Sequence, residues 1–383
     1  MITTEKESEL SFDREGWKGW YESQPNEYDY WIENIEGEVP PELKGTLFRN
    51  GPGLFDINGQ RLHHPFDGDG MVCAIAFDQG RVHFRNRFVR TEGYLKEKKA
   101  VKILYRGVFG TQKPGGLWAN IFDIKLKNIA NTHVVYWGGK LLAMWDAAEH
   151  YQLDPKTLET LGKDDPDGIW AKGHFSKTHS RIDLSCDQDG GVPCLVSFTI
   201  KLGLLNSKIT IHEQAPDGKL RRSYSHTVPG FTLPPGQLFR FTLNLADATV
   251  QQQRLSERCC EFPCVHPNHV GRPYRYVYMG VAHNPTGNAP LQAIAKFDVT
   301  TGEEQVWSAA PQGFVSEPIF VPHPDAKRED EGWVLTLVYD SSHHRSDVVI
   351  LDGRDLSHGA IARLHLKHHI PYGLHGSWTS TVF

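Results

Sequence analysis

The chain has 383 residues, 39% hydrophobic and 23% charged, the balance of a globular protein rather than a disordered or fibrous one. A formal charge of −5 offers no general basic field, which argues against a nucleic-acid partner. No apolar run approaches the roughly eighteen residues a spanning helix needs.

The opening MITTEKESELSFDREGW is polar and acidic, without an apolar stretch behind a basic start. No typical secretory signal is expected, and the protein reads as cytoplasmic. Residues 1–45 read as an arm, with Trp17, Trp20, Tyr28, Tyr30 and Trp31 available for aromatic packing. The stretch LFRNGPGLF reads as a turn, Asn50-Gly51 supplying positive-φ residues. In HHPFDGDGMVCAIAF, Asp67 and Asp69 alternate as calcium ligands do. Met71 and Val72 fall where an EF-hand loop needs a ligand and a glycine, so a tight acidic turn entering a buried strand is expected instead.

Beyond this point short alternating or apolar runs dominate, including Met71–Phe77, Val82–Phe88, His133–Tyr136, Leu141–Met144, Leu195–Ile200, Trp333–Val338 and Val348–Leu351. Most are bounded by Gly, Asp, Asn or Pro, the pattern of strands joined by tight turns. YQLDPKTLETLG, AKFDVTTGEEQVW and VILDGRDLSHGAIARL share one plan: a strand ending in Asp, a polar turn, then a second strand. TIHEQAPDGKLRRSYSH and RFTLNLADATVQQQRL are looser copies. Asp298 and Asp352 recur near the spacing of about 40–50 residues typical of propeller blades. An all-β fold is expected, with a β-propeller and a large sandwich equally compatible with the repeat.

The six cysteines contain no CxxC pair and are expected to be reduced thiols. No GxSxG elbow and no GxxxxGK[ST] phosphate loop is present. The twenty histidines leave metal binding open. In LHLKHHIPYGLHGSW, His365, His368 and His369 read as surface histidines on an exposed strand, on which alternate residues face opposite ways. His375, between Gly373 and Gly376, stands apart.

Taken together, LKGTLFRNGPGLF, HHPFDGDGMV, GTQKPGGLWANIFDIKLKNIANTHVVYWGGKLLAMWD, CCEFP, GFVSEPIFVP, LVYDSSHHRSDVVILD and HHIPYGLHGSW resemble signatures of the carotenoid cleavage oxygenases, in the family's order and over nearly the whole chain. The resemblance implies a single seven-bladed β-propeller domain over 1–383, with a helical and loop cap. It implies Fe(II) on the axis, held by four neutral histidines, three of them oriented by carboxylates. It implies an apolar tunnel admitting a carotenoid or apocarotenoid, whose conjugated C=C bond is split with O2 into two carbonyls. His179 in THSRID matches the first iron ligand and His375 the last. Glu317 matches the carboxylate that orients His375, Glu261 a second such carboxylate, and Asp146 a third, where the family usually has Glu. Leu117, Trp118, Ile121 and Phe122 match a tunnel mouth that makes peripheral membrane contact; ordinary core packing accounts for them equally.

The departure lies in SHTVPGFTLPPGQLFRF. Here the segments carrying the family's second and third ligands are missing, as though about two blades of about 40–50 residues each had been removed at a junction near 231–235. The expectation is an incomplete or distorted propeller that binds Fe(II) weakly or not at all, and an impaired dioxygenase. His226, or Glu317 acting directly as a ligand, are the available substitutes. An inactive apocarotenoid-binding carrier is the alternative from a different functional class.

Overall fold

The structure, a computed structural model, describes residues 12–120, 126–146, 148–164, 180–184, 192–201, 206–229, 236–244, 247, 249–285 and 290–383. Its strands form five sheets of four or more strands, arranged as a five-bladed propeller. The strand–Asp–turn–strand units form as read, for example Leu291–Asp298 running into Glu304–Ser308. The aspartate performs the turn: Asp298 Oδ1 accepts the backbone N–H groups of Thr300 and Thr301.

The first blade is built on Gly45–Pro52, Gly70–Asp78 and Arg81–Phe88, with Asp29–Trp31 on its outer edge. Its other edge is the C-terminal strand Gly376–Thr379, which pairs antiparallel with Gly45–Pro52 from Gly376↔Arg49 to Thr379↔Thr46. The second blade contains His133–Trp137, Lys140–Met144, His150–Leu153 and Thr160–Asp164. The third contains Arg181–Asp183, Cys194–Lys201, Asn206–Gln214 and Leu220–Pro229. The fourth contains Cys260–Cys264, Tyr276–Ala282, Leu291–Asp298 and Glu304–Ser308. The fifth is centred on Gly332–Asp340, Arg345–Asp352 and Ala360–His365, and Ile35–Gly37 from the arm adds its outer strand. Between the third and fourth blades stands a two-stranded hairpin, Phe239–Asn244 with Thr249–Arg254.

Consecutive side chains on a strand face opposite neighbours, so a blade inside the ring is apolar on both faces. Leu47 packs with Ile75, Leu335, Val348 and Ile350 between the first and fifth blades. The adjacent Phe48 packs with Val72, Val134 and Leu141 between the first and second. Val334 and Val349 meet Tyr278 and Ile294 between the fifth and fourth, and Val135 and Leu142 meet Leu195 between the second and third. Each such side chain, fully buried, contributes about 1.5–3 kcal/mol. The remaining face of the fourth blade packs against Leu238 and Leu255 at the base of the hairpin. Among the described residues no buried cluster joins the third blade to the fourth.

Several expectations are corrected. LFRNGPGLF is not a turn up to Pro52: Gly45–Pro52 is a fully buried strand. Gly51 is required by close approach rather than by positive φ, since a Cβ there would stand 2.7 Å from the Gly373 Cα. His365, His368 and His369 are buried, because the strand ends at His365 and the arm covers the residues after it. His365 lies between Asp347 (2.7 Å) and Glu36 (2.9 Å), His368 stacks on Tyr28, and His369 bonds the Glu22 carbonyl. Cys194 is disulfide-bonded, whereas Cys73, Cys259, Cys260 and Cys264 are not in disulfides. Spacing in sequence does not reveal which cysteines a sheet brings together.

The acidic turn forms as expected and holds the cap. Asp67 accepts the backbone N–H groups of Phe109 and Thr111, and Asp69 pairs with Lys127 at 2.6 Å. Lys127 also meets Glu97 of the helix Glu92–Ala100, docking that helix on the ring.

Candidate metal centre

A cavity of about 770 Å³ lies where the five blades and the hairpin converge, since each contributes residues to its wall. His133, Ile182, Phe239, Val277, Phe320 and Ser377 represent the six sheets in turn. The size suits one organic ligand, for which sites of about 300–1,000 Å³ are usual.

His375 immediately precedes the closing strand Gly376–Thr379, and its backbone is pinned at both ends: its N–H donates to the Thr132 carbonyl and its carbonyl accepts from Asn50. Its Nδ1 donates to Glu317 Oε1 at 2.9 Å. The other carboxylate oxygen of Glu317 accepts from the Gly376 backbone N–H at 2.8 Å and from Arg49 at 2.6 Å. Arg49 is itself buried and donates to the Leu374 carbonyl, so the guanidinium braces both the carboxylate and the loop that carries His375. Burial alone would raise the Glu317 acid; His375, Arg49 and Arg181 outweigh it and hold the carboxyl well below its usual range. An ionised Glu317 accepts from His375 Nδ1–H and so fixes that tautomer of the ring.

Glu261, in Cys260–Cys264, is within electrostatic reach of His375. Its acid is nonetheless raised, desolvation outweighing the attraction to His375 and the Phe262 backbone N–H. Phe262 places its ring edge-on to His375 with centroids 5.3 Å apart. Asp146 is half-buried in the turn after Lys140–Met144. His179 lies outside the described residues; the next residue, Ser180, is buried in the cavity wall. His226 stands in Leu220–Pro229 opposite Ile209. At the suggested tunnel mouth, Trp118 is 86% exposed on the short helix Gly116–Asn120, which also includes Leu117. Ile121, Phe122 and the junction 231–235 lie outside the described residues.

Two neighbours were not singled out in the sequence. Arg49 was hidden in a strand misread as a turn, and its signal was a lone cation within an otherwise apolar and small-residue run. His133 heads an apolar strand and counted only as its first residue. Its ring lies 5.7 Å from that of His375, at 74°. Burial, reinforced by His375 and Arg181, pushes its pKa down to about 3, so it is neutral at physiological pH.

The residues present suit a metal in one respect: the described side chains include a buried imidazole held by a carboxylate, on the residue preceding Gly376 of the cavity wall. Among the described residues no group of three or more His, Cys, Asp or Glu is arranged to hold an ion.

Propeller and site together define the class. The chain belongs to the carotenoid cleavage oxygenases, a family of dioxygenases: the family profile described as "Retinal pigment epithelial membrane protein" matches residues 21–234 and 231–380. It is 43% identical to apocarotenoid-15,15'-oxygenase of Synechocystis, over 100% of both chains. That alignment runs over 491 positions for a chain of 383 residues, so more than a fifth of the positions have no residue here. The structure of cobalt-substituted Synechocystis apocarotenoid oxygenase matches with a TM-score of 0.90 and 44% identity, covering 97% of this chain and 100% of that one. Chloroplastic carotenoid cleavage dioxygenase 8 of Arabidopsis thaliana is 25% identical, over 90% of this chain and 82% of its own.

Proposed function

We propose that this chain is a non-haem Fe(II) oxygenase that cleaves a conjugated C=C bond of an apocarotenoid, with a metal centre weakened by an internal deletion at 231–235. The observation that carries the reading is the buried His375–Glu317–Arg49 chain, which leads directly into Gly376 in the cavity wall. The deletion is supported by the family match, which breaks into two pieces at residues 231–234, and by the excess of alignment positions over residues.

When bound, iron would supply a redox-active centre for dioxygen. The two atoms of O2 end as the two new carbonyl oxygens, so the overall cleavage balances without a further reductant. The chain's own residues do the rest. Glu317 fixes the His375 tautomer, and Arg49 keeps Glu317 ionised and oriented. Leu238, Phe239, Val265, Val270, Val277 and Phe320 give the cavity an apolar wall that accepts a polyene and excludes water. Glu261 and Asp146, matched to carboxylates that orient the family's other ligands, are left with fewer histidines to orient. A centre with fewer imidazoles releases iron more readily, so activity is low and depends on added Fe(II).

The test is anaerobic reconstitution with Fe(II), desalting, and an assay of O2-dependent aldehyde release from a β-apocarotenal. Substoichiometric iron with slow release supports the proposal. Polyene absorbance that co-elutes with protein without any turnover establishes the carrier function instead.

Peripheral membrane contact is part of the same proposal. It is supported by exposed Trp118, with Val108 and Phe109 also exposed nearby in the same cap segment. No helix among the described residues is long and apolar enough to cross a membrane. Sedimentation with neutral phospholipid vesicles should fall for Trp118→Ala, and an unchanged bound fraction excludes this contact.

A further inference from the structure

His133 is the first residue of the innermost strand of the second blade, and only 1% of its surface is exposed. Its backbone is fixed, because Asn50 donates to the carbonyls of both Ala130 and His133. Its Nε2 donates to the Gly376 carbonyl at 3.2 Å. With that proton on Nε2, Nδ1 carries the lone pair of the neutral ring. That nitrogen is buried and has no hydrogen-bond partner among the described residues. An unsatisfied buried acceptor is destabilising, so its persistence calls for a ligand.

His375, its neighbour, is anchored through the opposite ring nitrogen: its Nδ1 donates to Glu317. A ring nitrogen anchored to a carboxylate or backbone carbonyl, with the other presented to a cation, is the usual disposition of a metal-binding histidine. Two imidazoles on one ion, with metal–nitrogen bonds of about 2.1 Å, have ring centres roughly 4.6–6.5 Å apart. The observed 5.7 Å falls within that span. The opposing feature is Arg181, whose guanidinium lies 3.8 Å from Glu317 and would be repelled by a resident cation.

We propose that His133 is a metal ligand of this chain, binding a first-row divalent cation through Nδ1 alongside His375. The inference rests on the reading of the axial site as a metal centre. It assigns to the second blade a ligand that partly replaces those carried by the missing segments. Imidazole nitrogens suit Fe(II) and Co(II) alike, so Co(II) serves as an air-stable probe.

The experiment titrates the metal-free full chain with Co(II), following visible absorption, and counts coordinated imidazoles by X-ray absorption. His133→Asn retains a side-chain N–H donor for the Gly376 carbonyl but loses the imidazole; His375→Asn is the companion variant. Circular dichroism and Tm of the metal-free proteins confirm that each variant folds. The expected result for His133→Asn is one imidazole fewer and an affinity lower by about 10–100-fold. If His375→Asn abolishes binding while His133→Asn leaves both affinity and imidazole count unchanged, the assignment of His133 is overturned and the metal centre stands. If the unaltered chain binds no Co(II), the metal-centre reading falls and this assignment with it.

Discussion

Arg49 and Glu317 form a buried ion pair at 2.6 Å, and its value lies in the groups it positions. Desolvation cancels much of the attraction within such a pair, but removing one partner strands the other. Glu317→Gln leaves the Arg49 guanidinium buried without its counter-charge and should destabilise the fold by about 3–5 kcal/mol, measured by urea denaturation. The double variant Arg49→Met/Glu317→Gln should recover part of that loss, yet bind metal as poorly as the single one. Equal stability of single and double variants would show that the pair does not couple. Histidine protonation makes a separate prediction. His368 is stacked on Tyr28 at 4.0 Å, touches Phe84, receives or gives a hydrogen bond with Tyr30, and bonds the His369 carbonyl. Burial, with His369 adding to it, lowers its pKa from 6.5 to about 4. The unfolded chain therefore binds a proton that the folded chain refuses between these values, and stability falls as pH drops from about 6.5 towards 4. The full contribution is at most roughly 3 kcal/mol. His368→Phe should flatten the Tm profile across that window, and an identical slope in the variant would dismiss His368 as its source. None of this was legible from LHLKHHIP, because burial of these histidines depends on an arm more than 300 residues away in sequence.

At the level of elements, the hairpin Phe239–Asn244 with Thr249–Arg254 differs from the blades around it. It has two strands where they have four or more, and every residue of Thr249–Arg254 is exposed. Phe241 is exposed as well. An isolated two-stranded ribbon is marginal in water, and this one is anchored mainly through Leu238 and Leu255 at its base. Its cross-strand amides should exchange with deuterium far faster than those of Gly332–Asp340, which is paired on both sides and buried on both faces. Comparable protection in the two elements would mean that the hairpin is covered in solution. The strand and turn pattern here was readable from RFTLNLADATVQQQRL, since alternation and the Asp-containing turn are local. That the hairpin is two strands wide among the described residues was not local information, because strand pairing is decided across the fold.

For the whole molecule, ring geometry decides both stability and chemistry. The first and fifth blades are joined by a large shared core, and the C-terminal strand locks into the first blade. No comparable core joins the third blade to the fourth among the described residues, and the hairpin stands between them. Unpaired strand edges and exposed apolar faces favour association. Static light scattering should therefore show a mass that rises with protein concentration, and Phe241→Lys should reduce it. A monomer at all concentrations would show that the third and fourth blades close on each other. The sequence by itself determined the strands, the Asp turns and the family, because each rests on local pattern or on motif order. It also pointed to Glu317 as the partner of His375, through the resemblance. Only the tertiary structure decided that five blades stand as a propeller, that Arg49 braces Glu317, and that the C-terminal histidines are buried. It alone brought His133 beside His375. Those outcomes depend on which faces meet across hundreds of residues, and burial, charge pairing and ligand geometry exist only after they have met.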